Sequence, residues 1–162
     1  MMRPDYQRVE KEFSETVVQI NRISKKTKGG NQMRFAALVV VGDKKGKVGV
    51  GLAKAKDVRG AIQKAISQAK RKFIDVPLRG HTLAYEVRQK FGAARIMLKP
   101  APEGTGIIAG GAIRVVLDAA GVKNASAKIL GTKNKITNVY ATIEALKMIS
   151  RMDKIKRHGN EA

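Results

Sequence analysis

Hydrophobic and polar positions change period along this chain, and each change marks an element. Residues 16–23, TVVQINRI, are rich in β-branched side chains and partly alternate, with Val18, Ile20 and Arg22 on one face. Residues 33–41, MRFAALVVV, put Phe35, Ala37, Val39 and Val41 on one face of a second strand. GDKKG at 42–46 supplies turn chemistry, and KVGVGLAKA at 47–55 resumes a strand, so the spacing predicts a hairpin. Gly49 and Gly51 inside that strand imply a bulge or a close backbone approach. After Asp57, a natural helix N-cap, Val58, Ala61, Ile62, Ala65, Ile66, Ala69 and Phe73 recur at spacings of three and four. That stripe predicts an amphipathic helix on a three-stranded sheet, a β-β-β-α unit ending near Pro77.

The second half repeats the element types in a different order. HTLAYEVRQKF and AARIMLKPA read as two strands joined near Gly92. PAPEGTGIIAGGA at 100–112 is a Pro/Gly loop feeding a helix, whose buried face is Ile113, Val116, Leu117 and Ala120 and whose end is Gly121. KNASAKILG is a weaker strand. Thr137 or Asn138 can cap a last helix with Val139, Ile143, Leu146 and Ile149 on one side. From Arg151 the pattern reads as frayed. The expected organisation is therefore α/β of the α+β type in two small domains, 1–77 and 78–151, followed by a basic, disordered tail at 152–162.

Charge changes the picture. Among 162 residues, 33 Lys and Arg face 13 Asp and Glu, a formal net charge of +20. Residues 22–72 hold 15 cations and only Asp43 and Asp57 as acids, so most of the excess lies within predicted folded structure. A solubility device or a detachable basic tail would not place it there. Self-repulsion of this size opposes compaction unless a polyanion screens it. Three groups stand out. Arg22, Lys25, Lys26 and Lys28, ending in Gly29-Gly30, fall in a loop at 21–31 that reads as a flexible basic finger. Lys44 and Lys45 crown the hairpin turn. Lys54, Lys56 and Arg59 gather at the start of the first helix, where cations oppose the macrodipole and an anion would relieve the cost.

Other chemistry has little to be built from. With no cysteine, neither a disulfide framework nor a thiolate metal site can form. His81 and His158 are the only histidines, carboxylates are scarce and dispersed, and no serine sits in a Gly-x-Ser-x-Gly turn. EGTGIIAGGA lacks the Gly-Lys-Ser/Thr ending of a phosphate-binding loop, which makes its glycines turn and packing residues. The expectation is a non-enzyme with no cofactor and no metal. No apolar run approaches the roughly 20 residues of a membrane span, and MMRPDYQRVEKEF has no apolar signal core, so a cytoplasmic location without a membrane partner is expected. Four Phe, three Tyr and no Trp, none paired on adjacent strands, offer no platform for stacking splayed bases. Phosphate, shape and 2′-OH contacts to folded RNA fit better. Two rivals stay open: a free-standing double-stranded-RNA adaptor, and a nucleotide-hydrolysing enzyme built on the Gly-rich loop.

FSETVVQINRISKKTKGG, RFAALVVVGDKKGKVGVGLAKAKDV, GAARIMLKPAPEGTGIIAGGAIRVVLDAAGV and NVYATIEALK together resemble bacterial-type small-subunit ribosomal protein five over residues 13–148. The resemblance implies a first domain related to double-stranded-RNA-binding domains but lacking their leading helix. It implies a second domain of β-β-α-β-α order with a left-handed βαβ crossover. VGVGLAKAKDV is similar to the strand-to-helix basic motif of double-stranded-RNA binders, which sets Lys54 and Lys56 at phosphates. Implied partners are small-subunit rRNA, mRNA where it enters the subunit, and small-subunit ribosomal proteins three, four and eight, with no homo-oligomer. Residues 21–30 are similar to the family's basic rRNA-binding loop, which implies Arg22, Ser24, Lys25, Lys26, Lys28 and Gly29 as contact residues, and the implied roles are subunit assembly and decoding accuracy. Two positions depart from the family pattern: Lys135, where proline is usual, and Tyr140, where arginine is usual.

Overall fold

The computed structural model describes residues 13–160. The N-terminal stretch read for targeting lies, except for Phe13, outside the described residues, as do residues 161 and 162. A first antiparallel sheet has the order β1 (Ser14–Thr27), β2 (Gly30–Gly42), β3 (Lys47–Ala55) and β4 (Ile74–Asp75), with α1 (Val58–Arg71) between its last two strands. A short hairpin of β5 (Leu78–Arg79) and β6 (Thr82–Leu83) follows. The second sheet, in the order β7-β8-β10-β9, uses β7 (Val87–Phe91), β8 (Ala94–Pro100), β9 (Ile107–Ile108) and β10 (Ala125–Ile129). Helix α2 (Gly111–Ala120) connects β9 to β10, which pair in parallel, and α3 (Lys135–Asn160) closes the chain.

The apolar run in β2 is explained by two buried faces rather than one. Ala37, Val39 and Val41 pack with Ala53 against Ala61, Ala65 and Ala69 of α1. The alternate residues Leu38 and Val40, with Val48 and Val50 of β3, join a core made with Leu83, Ile96, Leu98, Ile113, Leu117, Leu146 and Ile149. A sheet covered on both sides reads as a continuous hydrophobic segment. The two domains therefore share one core across the back of the first sheet. Glycines allow α1 to approach so closely: a Cβ at Gly51 would sit 1.9 Å from the Ala65 carbonyl oxygen, and one at Gly49 would sit 2.3 Å from that of Ala69.

This packing separates two positions that helix and strand periodicity treat alike. Val39 is fully buried, whereas Ile62 is only partly covered at the edge of its cluster. Val39→Asp should abolish cooperative folding, because an unpaired carboxylate would replace a core methyl pair. Ile62→Asp should remain folded with a lowered melting temperature. Thermal unfolding followed by circular dichroism checks both.

Several boundaries differ from the sequence pattern, each for a physical reason. The expected loop at 21–31 is strand on both sides: β1 and β2 pair without a break from Gln19↔Leu38 to Thr27↔Gly30. Only Lys28 and Gly29 remain as the connection, Gly30 takes a positive φ of 118°, and the Thr27 hydroxyl donates to the Gly30 carbonyl at 2.7 Å. The basic finger is thus a hairpin, not a flexible loop. The last helix starts earlier than Thr137, because the Asn134 side chain accepts from the Ile136 amide at 3.0 Å. It also continues through the segment expected to be a disordered tail, as far as Asn160. Met152 packs on the core, and Arg157 pairs with Asp153 at 2.9 Å one turn away.

Candidate nucleic-acid interface

The finger hairpin projects past the first sheet and is basic on both faces. Strand alternation puts Arg22, Ser24 and Lys26 on the α1 side, opposite Phe35, Met33 and Asn31. Ile23 and Lys25 lie on the other side, opposite Arg34 and Gln32. Lys54 of β3, opposite Ala36 of β2, shares that second face. Lys25, Arg34 and Lys54 line one shallow depression with Ile23, Ser24 and Gln32. Arg34 and Lys54 line the next one too, where Lys56 and Lys64 join them around the start of α1. The finger and the helix start, two separate groups in the sequence, are one continuous basic surface. Arg59 is exposed on the neighbouring side of α1.

What distinguishes this surface is the lack of counter-charge. Ion pairs among the described residues join Lys44 to Asp118, Lys70 to Glu15, Lys99 to Glu86, Lys147 to Glu144 and Arg157 to Asp153. None involves Lys25, Arg34, Lys54, Lys56 or Lys64. The one carboxylate in the surface, that of Asp57, accepts from the Gly60 amide at 2.8 Å. It caps α1 and occupies an amide that an anion could otherwise use, so side chains must supply the positive charge. The nearby aromatic ring, Phe35, is packed into the α1 cluster and is not displayed as a stacking surface.

Lys44 and Lys45 are elsewhere. They sit at the opposite end of β2, about 40 Å from the finger tip at 3.4 Å per residue. Their turn joins the two domains. Lys44, with φ of 58°, donates its amide to the Ala119 carbonyl at 3.1 Å, and Gly46 donates to Ala120 at 2.9 Å. These bonds satisfy carbonyls at the C-terminus of α2. Gly121, with φ of 88°, completes the contact, since a Cβ there would meet the Lys44 carbonyl oxygen at 2.1 Å.

Sequence reasoning missed Arg34 and Lys64 as members of the surface. A signal for Arg34 existed: with Lys28-Gly29 as a two-residue turn, the register sets Arg34 opposite Ile23. Lys64 follows Gly60 by one helical turn, and its neighbours are decided by how α1 lies on the sheet. The Gly-rich segment is a turn and a packing site: Gly104 and Gly106 have positive φ, the Gly106 amide donates to the Asn124 side chain at 3.0 Å, and a Cβ at Gly110 would lie 2.7 Å from Ile129 Cδ1.

Family models match this chain twice. The model described as "Ribosomal protein S5, N-terminal domain" matches residues 13–77, and "Ribosomal protein S5, C-terminal domain" matches residues 89–158. The chain belongs to the ribosomal protein S5 family. It is a structural, non-enzymatic protein of the small ribosomal subunit, bound to rRNA and to neighbouring ribosomal proteins. No helix among the described residues is long and apolar enough to cross a membrane. The two positions expected to depart from the family pattern have clear settings. Lys135 is the first residue of α3, a position to which a proline's fixed φ is suited and where its missing amide costs nothing. Tyr140 stacks on Phe91 with centroids 5.6 Å apart, and burial pushes its hydroxyl pKa above the ordinary value. Its ring packs α3 against β7.

Proposed function

We propose that this S5 protein holds small-subunit rRNA by its phosphates, with the finger hairpin and the start of α1 acting as one rigid clamp. The observation that carries this reading is the continuous surface of Lys25, Arg34, Lys54, Lys56 and Lys64 without a carboxylate partner among the described residues. Arg22, Ser24, Lys26, Lys28 and Gly29 extend it along the finger, and Arg59 extends it over α1. Lys44 and Lys45 form a separate contact at the domain junction. Neutralising phosphates releases condensed counterions, so binding weakens steeply with salt. The roles proposed for the bound protein are support of subunit assembly, decoding accuracy and the entrance of mRNA, beside small-subunit ribosomal proteins three, four and eight on cytoplasmic ribosomes. The domain boundary is placed at residue 77, and the chain acts as a single copy.

Sedimentation of a cell lysate through a sucrose gradient at moderate salt tests the reading. The protein is expected to travel in stoichiometric amount with the small subunit. If it stays at the top of the gradient, the ribosomal role fails and a free-standing RNA adaptor replaces it.

A further inference from the structure

A second cationic centre lies outside the interface described above. The Tyr85 ring has two cations over it: the Arg79 guanidinium carbon is 5.0 Å from the centroid and Lys156 Nζ is 4.4 Å from it. Arg79 also donates to the Tyr85 hydroxyl at 3.3 Å. Arg79 comes from β5, Tyr85 from the segment after β6, and Lys156 from the last turns of α3. Residues 78–88, which supply two of the three, lie between the two S5 family matches. A cation–π contact would by itself explain one charge on the ring. It does not explain why two like charges are brought to the same ring.

Glu86 and Asp153, the carboxylates nearest in sequence to Tyr85 and Lys156, are engaged by other cations. Glu86 pairs with Lys99 at 3.7 Å, and Asp153 pairs with Arg157 at 2.9 Å. Neither Arg79 nor Lys156 has a carboxylate partner among the described residues, and both side chains are exposed. The ring restrains a planar guanidinium fork and an ammonium, which reduces the side-chain freedom lost on binding. Arginine suits bidentate phosphate contact and lysine adds a point charge.

We propose that Arg79, Tyr85 and Lys156 form a second nucleic-acid phosphate site, which clamps the end of α3 and the β5–β6 hairpin onto RNA backbone. The inference rests on the RNA-binding reading above but uses none of the same residues. Both rRNA and mRNA carry this chemistry, so the test uses small-subunit rRNA and a single-stranded oligonucleotide of mixed sequence in parallel.

The experiment measures affinity of the full chain as a function of salt for wild type, for Arg79→Gln with Lys156→Gln, for Tyr85→Leu, and for Lys25→Ala with Arg34→Ala and Lys54→Ala. The Arg79/Lys156 variant is expected to lower the log–log salt slope for rRNA by about one to two, with roughly tenfold weaker binding at physiological salt. Tyr85→Leu, which keeps both charges but removes their support, should weaken binding by a smaller factor and leave the slope near wild type. A loss confined to the oligonucleotide would assign the site to mRNA. An unchanged slope with both ligands, while the finger variant still loses binding, overturns the second site and leaves the main reading intact. If the finger variant also binds as wild type, the RNA reading itself fails. Both substituted cations are on the surface, and matching thermal unfolding curves would show that the variants fold.

Discussion

Gly51→Ala is expected to destabilise this protein by about 3 kcal/mol, a cost at the upper end for overpacking a core. Alanine is normally the mildest of substitutions, and in a strand it should if anything help. Here its Cβ would lie 1.9 Å from the Ala65 carbonyl oxygen and 2.8 Å from its carbonyl carbon, both backbone atoms of α1. No rotamer change can relieve such a contact. The helix must lift off the sheet, which opens the interface of Ala37, Val39 and Ala53 with Ala61, Ala65 and Ala69. Close-packed interiors lose dispersion contacts along the whole of an interface that opens. In a chain of this length the drop in melting temperature should be roughly 10 °C. Gly111→Ala is the control: Gly111 opens α2, nothing lies within 4 Å of where its Cβ would fall, and the substitution should be neutral or slightly stabilising. A Gly51→Ala protein that melts with wild type would show that α1 is not seated on β3 as described.

Replacing Lys25, Arg34 and Lys54 together by alanine is expected to reduce rRNA affinity on the order of 100-fold at physiological salt and to lower the salt slope by about two to three. The three cations share one face of the finger and sheet and line a single depression. They are exposed and without ion-pair partners among the described residues, so their loss should leave the melting temperature close to wild type or raise it by easing repulsion. Lys99→Ala removes the same kind of charge from a residue paired with Glu86 and should leave the slope unchanged. Equal effects per charge removed would mean that net charge, not the finger surface, drives binding.

Much of the architecture is legible in the residues. The switch from period two to period 3.6 at Asp57 marks the sheet and its helix, and the predicted faces of α2 and of most of α3 are buried as their spacing implies. The glycines at 49 and 51 announce a close backbone approach, and a backbone does approach there. The chain end is not legible in the same way, because its charges suggest a solvated tail. A polar helix can be extended when its inner side has something to rest on, here Met152 on the core and Lys156 on Tyr85. The finger is obscured for a related reason: its cations hide the alternation, while cross-strand pairing continues without needing apolar side chains.

The element types, the excess of positive charge and its concentration in residues 22–72 follow from the order of residues alone, because period, capping and net charge are local or additive properties. Which cations lie together is set by packing in three dimensions. Strand register brought Lys25, Arg34 and Lys54 to one face, and the seat of α1 added Lys56 and Lys64. The direction of β2 carried Lys44 and Lys45 to the domain junction, and the run of α3 set Lys156 over Tyr85. These are distances between residues far apart in the chain, and they depend on pairing and packing that no local pattern encodes.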